Sequence, residues 1–259
     1  MKDILLRLLY MRVNEHFFEI HNNLPREGPG DSRSTRRAYR MLTDLPERPR
    51  VLDVGCGSGV QTIELAKISN VEITALDIHQ PFLDVLAGRA KVEGVSERIR
   101  LVRGDMLCLD FECNSFDVIW CEGAIFVVGF EKGLCEWRRF LVDKGYFVVS
   151  ELCWIDPNPP RDVKEYMLNV LYPSVKTVAE NLRIIRDVGY EVKDYFVLPE
   201  SSWWENYYLP ILAKLPFLKR KYQGSSEALG AIVEEEKEIE IFRRYSKHYG
   251  YVFYSLQKV

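Results

Sequence analysis

A chain of 259 residues, 47% hydrophobic and 28% charged, can bury a full core as one large domain or as a core with an added subdomain. Its formal net charge is -3 and its basic residues are scattered, so it lacks the basic stripe that an electrostatic grip on nucleic acid requires. No apolar run approaches the roughly 18 residues needed to span a bilayer. The six cysteines (Cys56, Cys108, Cys113, Cys121, Cys135, Cys153) form no CxxC pair and the four histidines are dispersed. That pattern reads as reduced thiols in a cytoplasmic protein with no metal centre.

The opening text, MKDILLRLLYMRVNEHFFEI, reads as an amphipathic helix. Charges interrupt its apolar positions, and it has no small-residue cleavage site of a signal peptide. A proline-glycine loop, REGPG (Arg26–Gly30), follows, and the basic run Arg33–Arg40 reads as a solvated helix face. From about residue 50 short β-branched runs alternate with helical periodicity. Strands are expected at Val51–Val54, Glu72–Asp77, Ile99–Val102, Phe116–Cys121 and Gly145–Ser150. Helices are expected at Gln61–Ile68, from Pro81 to a stop at Gly94, and around Gly133–Leu141. Strands joined by crossover helices make a parallel sheet covered on both faces, so the fold class is α/β, Rossmann-like and doubly wound.

Beyond residue 150 the pattern changes. Thr177-Val-Ala-Glu180 reads as a capping box with Gly189 as the helix stop, and a strand follows at Glu191–Leu198. Ser202-Trp-Trp-Glu205 offers a second capping box, opening mostly helical text to Tyr249 before a last strand at Tyr251–Leu256. Neighbouring antiparallel strands need only a short hairpin. The chain therefore divides into an N-terminal helical segment (1–46), a core (47–200 with 250–259) and a helical insertion (201–249). The insertion is expected to form a lid or wall over a substrate, or a subunit contact in a homodimer.

The chemistry concentrates in Asp53-Val-Gly55-Cys56-Gly57-Ser-Gly59, placed between a strand and a helix. Glycines there let a ligand approach the backbone where a Cβ would stand. A dinucleotide fingerprint, GxGxxG, would put its third small residue at Val60, whereas here the third glycine comes one place earlier. The GxGxG spacing, preceded by acidic Asp53, suits a ligand that carries an ammonium group and no phosphates. Asp77 ends the second strand, 77 − 55 = 22 residues on, where a carboxylate meets ribose hydroxyls in doubly wound folds. Gly104-Asp105-Met106 ends the third strand at the same carboxyl edge.

The order DVGCGSG, LD, GD and DVIWCEGA resembles the class I S-adenosylmethionine-dependent methyltransferases, over about residues 48–152 and again at the two late strands. The resemblance implies a seven-stranded sheet with its last strand antiparallel, and S-adenosylmethionine as cofactor. It places methionine on Gly55, Cys56, Gly57 and Gly59, ribose on Asp77, and an adenine edge on Asp105 beside Gly104. Ile78 and Met106 would pack on adenine. Glu122–Glu151 and REGPG further resemble a methyltransferase type 11-like group of prokaryotic small-molecule enzymes.

Methyl transfer is an in-line displacement that depends on positioning, and a base is needed only where the acceptor must lose a proton. Glu122, just past the fourth strand, can accept a proton, hold substrate or bind the cofactor's ammonium group. Glu151 is a weaker counterpart. His21 and Arg26 flank the proline-glycine loop, and Trp203, Trp204, Tyr207 and Tyr208 can wall an apolar substrate pocket or simply pack helices. The function expected is methyl transfer to a small, partly apolar molecule. The alternative is a noncatalytic S-adenosylmethionine-binding sensor or assembly partner.

Overall fold

A computed structural model describes residues 15–259. The expected helix over the first twenty residues falls outside the described residues up to residue 14, and its end is α1 (Glu15–His21). The other elements, in order, are α2 (Ser32–Tyr39), β1 (Arg50–Val54), α3 (Val60–Ile68), β2 (Glu72–Asp77), α4 (Gln80–Val92) and β3 (Ile99–Arg103). Next come β4 (Phe116–Glu122), α5 (Phe130–Trp137), β5 (Leu141–Trp154), α6 (Arg161–Tyr166), β6 (Lys176–Thr177), α7 (Val178–Asp187) and β7 (Tyr190–Val197). A helical turn at Ser201–Trp203 then runs through a wide π turn at Trp204–Tyr208 into α8 (Leu209–Lys221), α9 (Ser226–Tyr245) and β8 (Tyr249–Lys258).

The sheet order is β3-β2-β1-β4-β5-β8-β7, with two-residue β6 paired to β5. Strands β1 to β5 pair in parallel, and β8 runs antiparallel to both β5 and β7. This is the expected mostly parallel sheet with its last strand reversed, plus the short β6. Alternate residues of β1 and β4 feed two apolar layers. Val51, Val118 and Trp120 face the layer shared with α3, α4 and the 201–249 segment. Leu52, Val54, Ile119 and Cys121 face the layer shared with α5 and α7. Burial on both faces explains why β4 reads as the continuous apolar run FDVIWC.

Two local expectations differ. The fifth strand begins at Leu141 rather than Gly145 and runs to Trp154, because three partners continue its ladder. Gly145 marks an irregularity inside it: the register with β4 shifts between Phe116 and Val118, and a Cβ on Gly145 would meet the Val142 and Asp117 carbonyls. The Thr177–Glu180 capping box forms, with Glu180 N donating to Thr177 Oγ1 at 3.2 Å and Thr177 N to Glu180 Oε2 at 2.8 Å. The Ser202–Glu205 box does not. The turn starts earlier, with Ser202 N donating to Pro199 O at 3.0 Å, and the buried Ser202 hydroxyl donates instead to Asp31, the N-cap of α2.

Glu151, buried in β5, accepts from the Tyr172 hydroxyl, while its Oε2 has no partner among the described residues. Burial pushes its carboxyl from 4.5 up to about 8, with the Tyr172 hydrogen bond opposing. The folded chain thus holds a proton that the unfolded chain releases, so this stabilisation is full below the unfolded value and is lost as pH rises through about 8. Glu151→Gln should leave the melting temperature near pH 5 little changed and raise it near pH 9. Thermal melts across that range check this; equal shifts at both ends would remove Glu151 from the pH response.

Candidate active site

The strand order reverses between β1 and β4, and ligands of open α/β sheets bind at that switch, outside the carboxyl ends of the strands. Four strand ends converge there. After β1 the chain turns sharply, and the Gly55 and Cys56 N–H groups donate to Leu76 O at 2.8 and 3.0 Å, locking the turn to β2. Gly55, Gly57 and Gly59 all have positive φ, at 72°, 53° and 79°. None of the three has room for a Cβ, and the obstacle differs: at Gly55 it is Ala124 Cβ, 2.6 Å away. A Cβ on Gly57 would stand 2.5 Å from Glu27 Oε2 on the ligand side, whereas one on Gly59 would run into Leu86 of α4. Gly57 keeps a surface open, and Gly59 lets α3 start close against α4.

Asp77 ends β2 and accepts from Gly57 N at 2.9 Å and His79 N at 2.8 Å. Burial raises its carboxyl above the ordinary range, and these two N–H groups oppose the rise. Asp105 follows β3 and accepts from Leu107 N at 2.8 Å, fixing the turn that carries Met106. Glu122 ends β4. Its Oε2 accepts from Arg26 Nη2 at 2.6 Å, and its Oε1 accepts from Thr35 Oγ1 at 2.8 Å and Trp120 Nε1 at 2.9 Å. The ion pair is almost wholly shielded from solvent, with side-chain exposures of 8% and 3%.

These ends enclose a cavity of about 490 Å³, within the size range of small-molecule sites. Of the sequence-selected residues, Gly55, Cys56, Gly57, Asp77 and Ile78 line it from the β1 and β2 ends. Gly104, Asp105 and Met106 line it after β3, and Glu122 and Arg26 close the side toward β4. Asp53 and Gly59 stand behind the turn instead. Asp53 is fully buried; it accepts from Thr62 Oγ1 at 2.5 Å and lies 3.4–3.5 Å from Gln61 Nε2, which also donates to Cys56 O at 3.0 Å. Burial pushes Asp53 up to about 7, the Thr62 hydrogen bond opposing. It braces the turn and presents no oxygen to the cavity.

His21, Trp203, Trp204 and Tyr207 do not line this cavity. His21 Nε2 lies 2.9 Å from the Tyr207 hydroxyl in a buried cluster that includes Glu235 at 3.9 Å. Trp203 stacks on Phe242, with ring centres 4.2 Å apart, and also packs on Tyr251, while Trp204 packs on Tyr208. These rings bury their area between the helical segment and β8, which is the packing alternative. Phe18, Glu27, His79 and Phe82, which no glycine or strand-end motif of the sequence marks, also line the cavity. Phe18 of α1 stacks on His79 at 3.7 Å, and Phe82 meets His79 edge-on at 4.5 Å. Burial lowers the His79 pKa, favouring a neutral ring.

Four carboxylates (Glu27, Asp77, Asp105, Glu122) and a single guanidinium (Arg26) line the cavity, an acidic excess that suits a cationic ligand. Arg26 adds one anion-seeking group, because its Nη1 is buried with no hydrogen-bond partner among the described residues. The lining thus offers carboxylate acceptors, one unpartnered guanidinium nitrogen and the apolar side chains of Ile78 and Met106.

Residues 51–145 match the family model for a methyltransferase domain. The chain is similar to methyltransferases over that stretch, 95 of its 259 residues. It is 27% identical over 177 residues to the sterol 24-C-methyltransferase erg-4 of Neurospora crassa, an alignment covering 66% of this chain and 47% of that protein. It is 31% identical over 154 residues to the demethylmenaquinone methyltransferase of Corynebacterium efficiens, covering 59% of this chain and 63% of that one. The chain spans about half the length of the sterol methyltransferases it matches. In fold it is similar to a SAM-dependent methyltransferase from Geobacter sulfurreducens solved with S-adenosyl-L-homocysteine. The TM-score is 0.82 at 20% identity, over 95% of this chain and 99% of that one.

The geometry makes Glu122 an anchor. Glu122→Ala leaves the Arg26 charge and the Thr35 and Trp120 donors without their acceptor, and removing one partner of a buried pair costs about 3–5 kcal/mol. Urea denaturation should show a loss of that size. A loss under about 1 kcal/mol, the range of exposed pairs, would contradict the anchoring role.

Proposed function

We propose that the chain binds S-adenosylmethionine in this cavity and catalyses transfer of its methyl group to a small, partly apolar molecule. The observation that carries the reading is the set of four strand ends at the β1–β4 switch, inside a methyltransferase-domain match, with acidic groups spaced for a cationic nucleoside. The cofactor, when bound, supplies an electrophilic sulfonium methyl group.

The chain's own residues do the positioning. Asp77 accepts from the ribose hydroxyls, the backbone of Gly55–Gly57 meets the methionine chain, and Arg26 Nη1 receives the carboxylate. Ile78 and Met106 flank the adenine and Asp105 takes its edge. Phe18 on His79 restricts water at the nucleoside end. Glu122, already accepting three hydrogen bonds, holds Arg26 in place and leaves proton removal to the acceptor or to solvent. Ala124 and Val127 give the wall beyond β4 an apolar character. That agrees with relatives named for sterol and demethylmenaquinone methylation.

On the same reading residues 201–249 act as a scaffold behind the site. Lys214 Nζ donates to the carbonyls of Glu19, Ile20 and Asn22 and so fixes the end of α1, whose Phe18 lines the cavity. A cytoplasmic location rests on six free thiols, of which Cys108, Cys113 and Cys135 are exposed.

Incubation with methyl-labelled S-adenosylmethionine and an extract of small metabolites should give S-adenosylhomocysteine and a labelled apolar product. Binding without turnover would favour the noncatalytic alternative. Calorimetry on Asp77→Ala should show affinity for S-adenosylhomocysteine falling about ten- to a hundredfold, the loss of a charged acceptor. An unchanged dissociation constant, with the fold intact by circular dichroism, removes Asp77 from the ribose.

A further inference from the structure

We propose that Glu27 is the carboxylate that recognises the ligand's ammonium group, so that the neighbours Arg26 and Glu27 together read both charges of an amino-acid end. The assignment rests on the cofactor reading above and adds to it the residue that selects for the amine. Elimination among the acidic groups leads there first. Asp53, the acidic residue of the motif, lies behind the turn with its oxygens facing Thr62 and Gln61. Glu122 is consumed by Arg26, Thr35 and Trp120. Asp77 is oriented by the Gly57 and His79 N–H groups toward the β2 end, and Asp105 lies beyond it at the end of β3.

Glu27 comes from the opposite wall. Its Oε2 accepts from Ser58 N at 2.9 Å and lies over Gly57, where a side chain would collide with it. It therefore puts negative charge against the ligand-facing surface of the glycine turn. The loop that carries it is held at both ends. Arg26 is fixed on Glu122, and downstream Gly30 N donates to Ser202 O at 3.2 Å while Asn206 Nδ2 donates to Gly30 O at 3.0 Å. Arg89, whose charge acts on this carboxylate, gives its hydrogen bonds to neutral oxygens, at 2.6 Å to Ser58 Oγ and 3.0 Å to Ser58 O. It attracts Glu27 without neutralising it by a direct pair. Burial raises the Glu27 carboxyl above its ordinary range, and a cation placed beside it would reverse that.

The competing role for Glu27 is a latch between the loop and the turn, and ligand selectivity separates the two. Calorimetry would compare S-adenosylhomocysteine with its deamino analogue, which keeps the carboxylate and the adenosine. The unaltered protein should prefer the amine by about tenfold or more, the scale of one charge-assisted hydrogen bond. Glu27→Gln keeps an acceptor for Ser58 N and should abolish that preference while binding the deamino analogue as before. A latch alone would weaken both ligands equally, and an unchanged ratio in Glu27→Gln overturns the assignment while leaving the cofactor reading standing. Should the variant fail to fold, the unaltered protein still decides, since equal affinities for the two ligands overturn the proposal. Binding of neither ligand overturns the cofactor reading and the assignment with it.

Discussion

The buried ion pair between Arg26 and Glu122 is the contact on which the site depends. Two charges taken out of water incur a large desolvation penalty that only close geometry and further hydrogen bonds offset. The pair is 2.6 Å long, and Thr35 and Trp120 complete the carboxylate's partners, while Arg26 Nη1 is left without a partner among the described residues. Its consequence is topological. The sheet lines the cavity from four of its strand ends, whereas the facing wall comes from chain far from them in sequence. The pair ties that loop to β4 across 96 residues and sets where Glu27 and the buried Nη1 of Arg26 point.

The acidic residues around the turn divide their work by depth. Asp53, fully buried, is pushed up to about 7 and spends its oxygens on the start of α3. Asp77 and Glu27 are raised by burial but remain on the cavity wall, where each accepts backbone N–H groups. A cationic ligand stabilises their charged forms, so binding and ionisation reinforce each other. Removing Asp53 and removing Asp77 thus have different consequences: the first loosens the turn, and the second, on the proposed function, strips the ligand of an acceptor.

What the sequence disclosed was local. The glycine turn, Asp77 at a strand end and the Thr177–Glu180 capping box each depend on residues a few positions apart, and each stands where it was expected. What it hid was tertiary. Ser202 had the right neighbour for a capping box, yet its hydroxyl found Asp31 across 171 residues. The full length of β5 rests on pairing with β4, β6 and β8, which no window of sequence contains. The aromatic run at Trp203–Tyr208 has the composition of a pocket wall, and only Phe242, Tyr249 and Tyr251 arriving from elsewhere show it to be packing. Glu27 carried no signal beyond its place in a proline-glycine loop, because its partner Ser58 is 31 residues away.

On the proposed function, the loop around residues 22–31 and α1 form the ligand-closing wall, while residues 201–249 serve as its scaffold. Moving elements come from the low-stability end of a fold and gain protection when a ligand orders them. Hydrogen exchange with and without S-adenosylhomocysteine tests this directly. The account predicts slowed exchange in 15–31 and in the glycine turn, with residues 226–245 unchanged; protection confined to 201–249, with 15–31 unaffected, would contradict it.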